Sequence, residues 1–230
     1  MTDANGTRKR DRWRELERVT GIAGILATVL IFAPITAIST LGEPGFDATR
    51  AQAAQFFVNG DTAWVAAATA AASVGMLAFL WFAAALTTLL RRAEGEPAWR
   101  STAALVSAVL VAAYGVVDAS WDAAFNRGDE LDSSVAIFAF DLGNLGFANA
   151  WLALGSFAIA AGWALLSGRA LAGWWGWWPI VAGVGLIAVR YAWEGFAWTL
   201  PYLVFWAWVI ALGIRLIARP TVIARARRPV

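Results

Sequence analysis

Residues 19–41 read VTGIAGILATVLIFAPITAISTL, an apolar run of 23 residues that contains no charge. A helix rising 1.5 Å per residue needs about 20 residues to cross a hydrocarbon core about 30 Å thick, so this run has the length of a membrane span. It is longer than the apolar region of a signal peptide, about 7–15 residues, and the small residues after it form no clear cleavage box. It therefore reads as a retained span.

Five more apolar runs follow, at about Asp61–Leu90, Ser101–Ala124, Ser134–Leu166, Trp177–Trp198 and Leu200–Ala218. Mean hydropathy is +0.61 and 60% of the residues are hydrophobic, the composition of an integral membrane protein. The predicted fold is all-α: a polytopic membrane protein, a six-transmembrane-helix bundle over residues 19–218, between a basic tail at 1–18 and another at 219–230. Gly60-Asp61-Thr62 supplies a cap for the second run, and Pro179 sits in the first turn of the fifth.

The distribution of basic residues sets the expected orientation. With the N-terminus inside, the cytoplasmic face holds the cluster from Arg8 to Arg18, then Arg91, Arg92 and Arg100, then Arg169, and finally Arg215 to Arg228. That is 15 of the 18 basic residues, against Arg50 and Arg127 outside and Arg190 within a span. Both termini are predicted to be cytoplasmic, in a bacterial cytoplasmic membrane. The tails suit anionic lipid and not nucleic acid.

Two connections carry their own pattern. FDATRAQAAQFFVNG, residues 46–60, has helical spacing with Asp47 as its expected cap, and reads as a short outer interfacial helix between spans one and two. GRALAGWWGWWP, residues 168–179, reads as a tryptophan-rich turn at the inner interface, where indoles bury a ring and keep N–H wet. A stacking platform for a ligand is the functional alternative there.

The chain has no cysteine and no histidine, which excludes disulfides, thiol nucleophiles, Cys/His zinc sites and Ser-His-Asp triads. Its single lysine, Lys9, lies in the tail, so a Schiff base on a late helix is excluded too. Phosphate-loop, HExxH, GxSxG and EF-hand patterns are absent, and no cofactor or metal is expected. No internal repeat supports an inverted-repeat transporter.

The basic N-terminus, AGILATVLIFAP, FDATRAQAAQFF and LTTLLRRAEGEPAW together resemble a group of uncharacterised six-helix membrane proteins of actinobacteria. That resemblance implies architecture and host, and carries no activity. YAWEG is similar to the AWE stretch of small membrane-bound terpene cyclases, where a buried glutamate donates a proton; here it falls on the fifth of six helices, a departure from that arrangement.

Charges inside the spans mark the candidate site. In RYAWEGFAW, Arg190–Trp198, Arg190 and Glu194 stand one turn apart on one helical face. Counting 1.5 Å per residue from each span's end puts Arg190 and Asp141 at about the same depth, roughly 10 Å below the outer edge, with Asp118 and Glu194 nearer that edge. Tyr114, Asp118, Trp121 and Asp122 share one stripe; Asp141, Asn144, Trp151, Gly155 and Gly162 share another, polar at one end and small at the other. An Arg190–Asp141 pair between spans is the expectation. The plainer reading is an intrahelical Arg190–Glu194 pair with interfacial aspartates.

Three functions fit. The first is an outward-facing pocket for a small amphipathic or cationic ligand, bound or transported, formed by Tyr114, Asp118, Trp121, Asp122, Asp141, Asn144, Asn149, Arg190, Tyr191, Glu194 and Trp198. The second is a membrane enzyme acting on a lipid or isoprenoid, with Glu194, Asp118 and Asp141 as acid–base candidates and the DASWD and DELD acids as a magnesium site. The third is a non-catalytic scaffold. Membrane lipids are the expected surroundings, and a homo-oligomer is compatible with each.

Overall fold

The computed structural model describes residues 4–117, 120–169, 171–192 and 196–220. These residues form helices and no strands: α1 Ala4–Ser39, α2 Arg50–Gly60, α3 Ala63–Glu94, α4 Trp99–Val117, α5 Ser120–Phe125, α6 Ser133–Gly168, α7 Trp174–Val189 and α8 Thr199–Ala218. Short 3-10 turns lie at Gly128–Glu130, Arg190–Ala192 and Phe196–Trp198.

The long helices close into a ring. α1 packs on α3 and α8, α3 on α4 and α6, α4 on α6, α6 on α7, and α7 on α8. The centre is aromatic: Phe79 and Phe82 of α3, Phe157 of α6 and Phe205 of α8 are fully buried, and Phe79 meets Phe157 edge-on at 5.4 Å. Outward faces are apolar as well, with Val106 at 64% and Val181 at 66% exposure. A bundle apolar on both sides suits a surrounding of lipid. Among the described residues α1, α3, α6, α8 and the stretch Trp99–Phe125 are long and apolar enough to cross a membrane. At 16 residues, α7 is the short member of the bundle.

Caps set several ends. α2 begins at Thr49 and not at Asp47: Gln52 N–H donates to Thr49 Oγ1 (3.3 Å) and Thr49 N–H donates to Gln52 Oε1 (2.8 Å), a reciprocal box. Thr62 caps α3 as expected, accepting from Val65 N–H at 3.3 Å. Asp132 caps α6 through Ser134 N–H at 2.8 Å. Glu94 ends α3 and also caps α4, accepting from the N–H groups of Arg100 (3.2 Å) and Ser101 (3.0 Å).

Two expectations about boundaries change. α1 starts at Ala4, so the basic segment continues the first helix, and Arg92 at the far end of α3 lies over the Trp13 ring at 4.1 Å. α7 starts at Trp174, so the tryptophans of GRALAGWWGWWP are its first turns, and Pro179 lies inside the helix. Their N–H and C=O groups tie α7 to α8: Trp178 Nε1 donates to Val204 O (2.9 Å) and Trp208 Nε1 to Trp175 O (3.1 Å).

Small residues on α6 let α7 approach to backbone contact, the role expected of that stripe. A Cβ on Gly162 would fall 2.4 Å from Gly176 O, and one on Gly155 would fall 2.7 Å from Gly183 O. Both pairs are spaced by seven residues, which fixes the register of the two helices. Gly21 of α1 and Gly213 of α8 form a third such contact.

Candidate functional site

The expected fifth span, Trp177–Trp198, ends early. α7 stops at Val189, and Arg190–Ala192 form a 3-10 turn. The reason is chain reversal. α7 and α8 are packed neighbours, and α8 starts at Thr199, so the link between them has to come from RYAWEGFAW. Arg190 thus stands at the end of its helix.

Its partner is Asn149 of α6: Arg190 Nε donates to Asn149 Oδ1 at 2.8 Å. No ion pair joins Arg190 to Asp141 among the described residues, and Asp141 is exposed. Asn149 lies eight residues after Asp141, about 12 Å further along the helix. α6 therefore rises past the end of α7 by the rise of residues 133–149, about 24 Å. Arg190 and Asp141, expected at one depth, therefore stand at two levels.

The upper level is a cap over the bundle end. α2, α5 and the first turns of α6 pack there through Phe56, Phe57, Phe125 and Phe140. Trp121 belongs to this packing, since its ring stacks on Phe140 at 5.7 Å and its Nε1 donates to Phe140 O at 3.3 Å. Asn144 is buried and donates to the same carbonyl at 3.1 Å. Asp122 borders a small cavity of about 160 Å³ with Asp61 and Asn126. No group of three potential metal ligands occurs among the described residues. Asp132 of DELD is occupied as a helix cap, and hydrogen bonds from Ser134 hold its carboxyl below the usual carboxylate range. Asp118 and Glu194 lie outside the described residues.

The lower level holds Arg190, Asn149 and Trp198. Trp198 stacks on Trp151 of α6 (5.4 Å, 23° between planes) and meets Phe147 and Tyr202 edge-on. Phe32 of α1 and Trp206 of α8 extend the cluster. Tyr114 packs against the main core, and Tyr191 is 82% exposed.

An open cavity of about 820 Å³ adjoins this cluster. It is lined by Glu43, Pro44, Gly45, Phe46 and Asp47 from the link between α1 and α2, and by Phe196 and Trp198 from the link between α7 and α8. Two carboxylates and three rings converge there. Glu43 is exposed as a residue, yet burial about its carboxyl pushes its pKa above the ordinary value. Of these residues only Trp198 was expected to line a site. LGEPGFD reads in sequence as a Pro-Gly turn, and the one available signal is the pair of acids bracketing an aromatic within five residues.

The opposite end gathers the basic residues. Arg100 pairs with Glu94 at 3.1 Å and lies 4.9 Å from the rings of both Trp99 and Trp163. An apolar groove of about 460 Å³ runs there between α6 and α7, past Trp163 and Trp177. No family model, curated protein or solved structure matches this chain.

Proposed function

We propose that the chain is a six-span protein of a bacterial cytoplasmic membrane, with both termini inside, that binds or transports a small amphipathic or cationic molecule in the cavity beneath the α1–α2 link. The fifth span, added to the five helices long enough by themselves, is α7 with its 3-10 extension, Trp174–Ala192, whose helical and tighter turns together rise about 30 Å, the thickness of a hydrocarbon core. The orientation is supported by the end of the bundle that collects Arg91, Arg92, Arg100, Arg169 and Arg215. Labelling of cysteines placed at Asn59 and Ser133 from the periplasmic side alone is the expected result; labelling from the cytoplasm reverses the assignment.

One observation carries the ligand class. Glu43 and Asp47 face a cavity walled by Phe46, Phe196 and Trp198. Carboxylates balance a positive charge, and ring faces attract a cation by about 0.5–2 kcal/mol each while accepting an apolar body. This site takes the place of the polar layer at Asp141 and Asn144, which are respectively exposed and committed to the fold. The test is binding of pentyltrimethylammonium to the purified protein in nanodiscs of neutral lipid. Saturable binding, weakened at least tenfold in Glu43→Gln with Asp47→Asn and absent for hexanoate, supports the reading. Absence of saturable binding, or indifference to the double substitution, removes it.

A further inference from the structure

The groove of about 460 Å³ at the basic end of the bundle is lined by Ile159, Trp163, Leu166 and Ser167 of α6 and by Trp177 and Ile180 of α7. On α6 these fall at i, i+4, i+7 and i+8, a single face, and Ile159 to Ser167 covers about 12 Å of helix. Beside them Gly162 and Gly176 bring the two backbones together, a Cβ on Gly162 falling 2.4 Å from Gly176 O. Trp163 and Trp177 are 44% and 59% exposed, so the groove opens outward from the bundle. Trp163 is pinned: Trp99 meets it edge-on at 5.1 Å, and Arg100, itself paired with Glu94, lies 4.9 Å from its ring. A wall held in this way does not fold inward and close the groove.

The mouth of the groove carries an unbalanced charge. Arg169 follows Ser167 by two residues, which puts their Cα atoms within about 7 Å of each other. It is exposed and joins no ion pair among the described residues. It also ends α6 in the left-handed region, at φ 47°, where glycine or asparagine is the usual residue. An arginine kept in a backbone conformation that costs free energy points to a use for its side chain.

We propose that this groove binds one anionic phospholipid of the leaflet at the basic end, with an acyl chain along α6 and α7 and the phosphate at Arg169. The site lies at the opposite end from the Glu43–Asp47 cavity, and either reading can fail without the other. The lining selects for a chain. It offers carbon throughout except at Ser167, whose hydroxyl is already donated to Trp163 O at 2.9 Å. Arg169 selects the headgroup, because a phosphate with net negative charge is attracted to it, whereas a zwitterionic headgroup brings a cation of its own.

The matched probes are dioleoylphosphatidylglycerol and dioleoylphosphatidylcholine, which share their chains and differ in headgroup charge. Native mass spectrometry of the protein in detergent, titrated with each, gives the affinity of the first lipid bound. The parent protein should prefer phosphatidylglycerol about fivefold, the effect of one arginine near an anionic headgroup. Arg169→Gln should erase that preference while leaving phosphatidylcholine within about twofold, and Arg169→Lys should keep most of it. Ser167→Phe narrows the groove and should weaken both lipids about threefold or more. Arg219→Gln removes the exposed arginine that ends α8 at the same end, and should change neither. All three positions are exposed, so each variant keeps the packed core intact. Equal binding of the two lipids by the parent protein overturns the proposal. So does a preference that survives Arg169→Gln, or an affinity unchanged by Ser167→Phe. An equal loss in Arg219→Gln overturns it as well, since the preference would then belong to the basic end as a whole.

Discussion

Arg190 Nε lies 2.8 Å from Asn149 Oδ1, and this bond between the end of α7 and the middle of α6 fixes the level of everything around it. The amide of Asn149 is uncharged, so the contact is a charge-assisted hydrogen bond and not an ion pair. Hydrogen bonds to charged groups contribute about 1.5–3 kcal/mol. A double-mutant cycle with Arg190→Met and Asn149→Ala should therefore return a coupling in that range, read from unfolding in detergent. Asp141→Asn should shift stability by less than about 0.5 kcal/mol, as exposed substitutions do. A large effect at Asp141 and none at Asn149 would contradict the assignment.

The glycine contacts of α6 and α7 give a test at the backbone. Gly162→Ala pushes a methyl to 2.4 Å from Gly176 O, an atom with no side-chain freedom to move aside. Overpacking typically costs about 1–3 kcal/mol, and a clash with backbone belongs at the upper end or beyond. Gly173→Ala is the control, because its nearest neighbour would be 4.0 Å away. Equal stability of the two variants would mean that the helices are further apart than described.

Glu94 is a carboxylate held by four hydrogen bonds. It accepts from two backbone N–H groups, from Arg100 Nη1 (3.1 Å) and from Ser101 Oγ (2.6 Å), with its side chain 2% exposed. Glu94→Ala strands Arg100 and uncaps α4, and about 3–5 kcal/mol of stability should go with it. Glu96→Ala, two residues on and exposed, is expected to be silent. Thermal unfolding of the two variants decides the point.

Glu43 predicts how binding varies with pH. Its folded pKa is raised, so its negative charge is lost on acidification at a higher pH than for a free glutamate. Asp47 is the acid that shares the cavity. Affinity for pentyltrimethylammonium should fall as pH drops through the raised value, and bound cation should drive proton release. By linkage, a raised carboxyl favours the fold at low pH and loses that contribution as pH climbs through the folded value. Glu43→Gln should consequently flatten the binding profile and leave the protein no less stable at neutral pH. A profile unchanged in that variant excludes Glu43 as the titrating group.

The spans were legible where apolar length alone decides, as in Val19–Leu41, whose helix starts earlier and stops two residues short at Ser39, and Ser134–Leu166, whose helix extends the expected bounds at both ends. The small stripe of α6 was legible because Gly155 and Gly162 recur on one face. RYAWEGFAW was read as span because six of its nine residues are Tyr, Trp, Phe or Ala, which hydropathy does not separate from a span. Depth failed on α6, because Asp141 was counted down from Ser134 as if that end stood level with the end of α7, which it overshoots by about 24 Å. The α2 cap was readable and passed over: TRAQ places Gln52 three residues after Thr49, the spacing of a reciprocal box, whereas Asp47 has no such partner. The cavity was out of reach for a different reason. Its walls, LGEPGFD and FAW, are separated by about 150 residues, and neither is distinctive alone.

The glycine contacts divide the ring into moving parts. Backbone against backbone, with no side chain between to slide or rotate, α6 and α7 form one stiff pair, and α1 and α8 form another through Gly21 and Gly213. Neither pair can slip by a turn without collision. The pairs meet at the seam of α7 with α8, where side chains stand between the helices and two indole hydrogen bonds, from Trp178 and Trp208, cross it. The link across that seam carries Phe196 and Trp198, while the opposite wall of the cavity hangs from the end of α1. A small rotation of one pair against the other would change the distance between carboxylates and rings directly. The two links face each other like the jaws of a caliper, Glu43–Asp47 on one side and Phe196–Trp198 on the other.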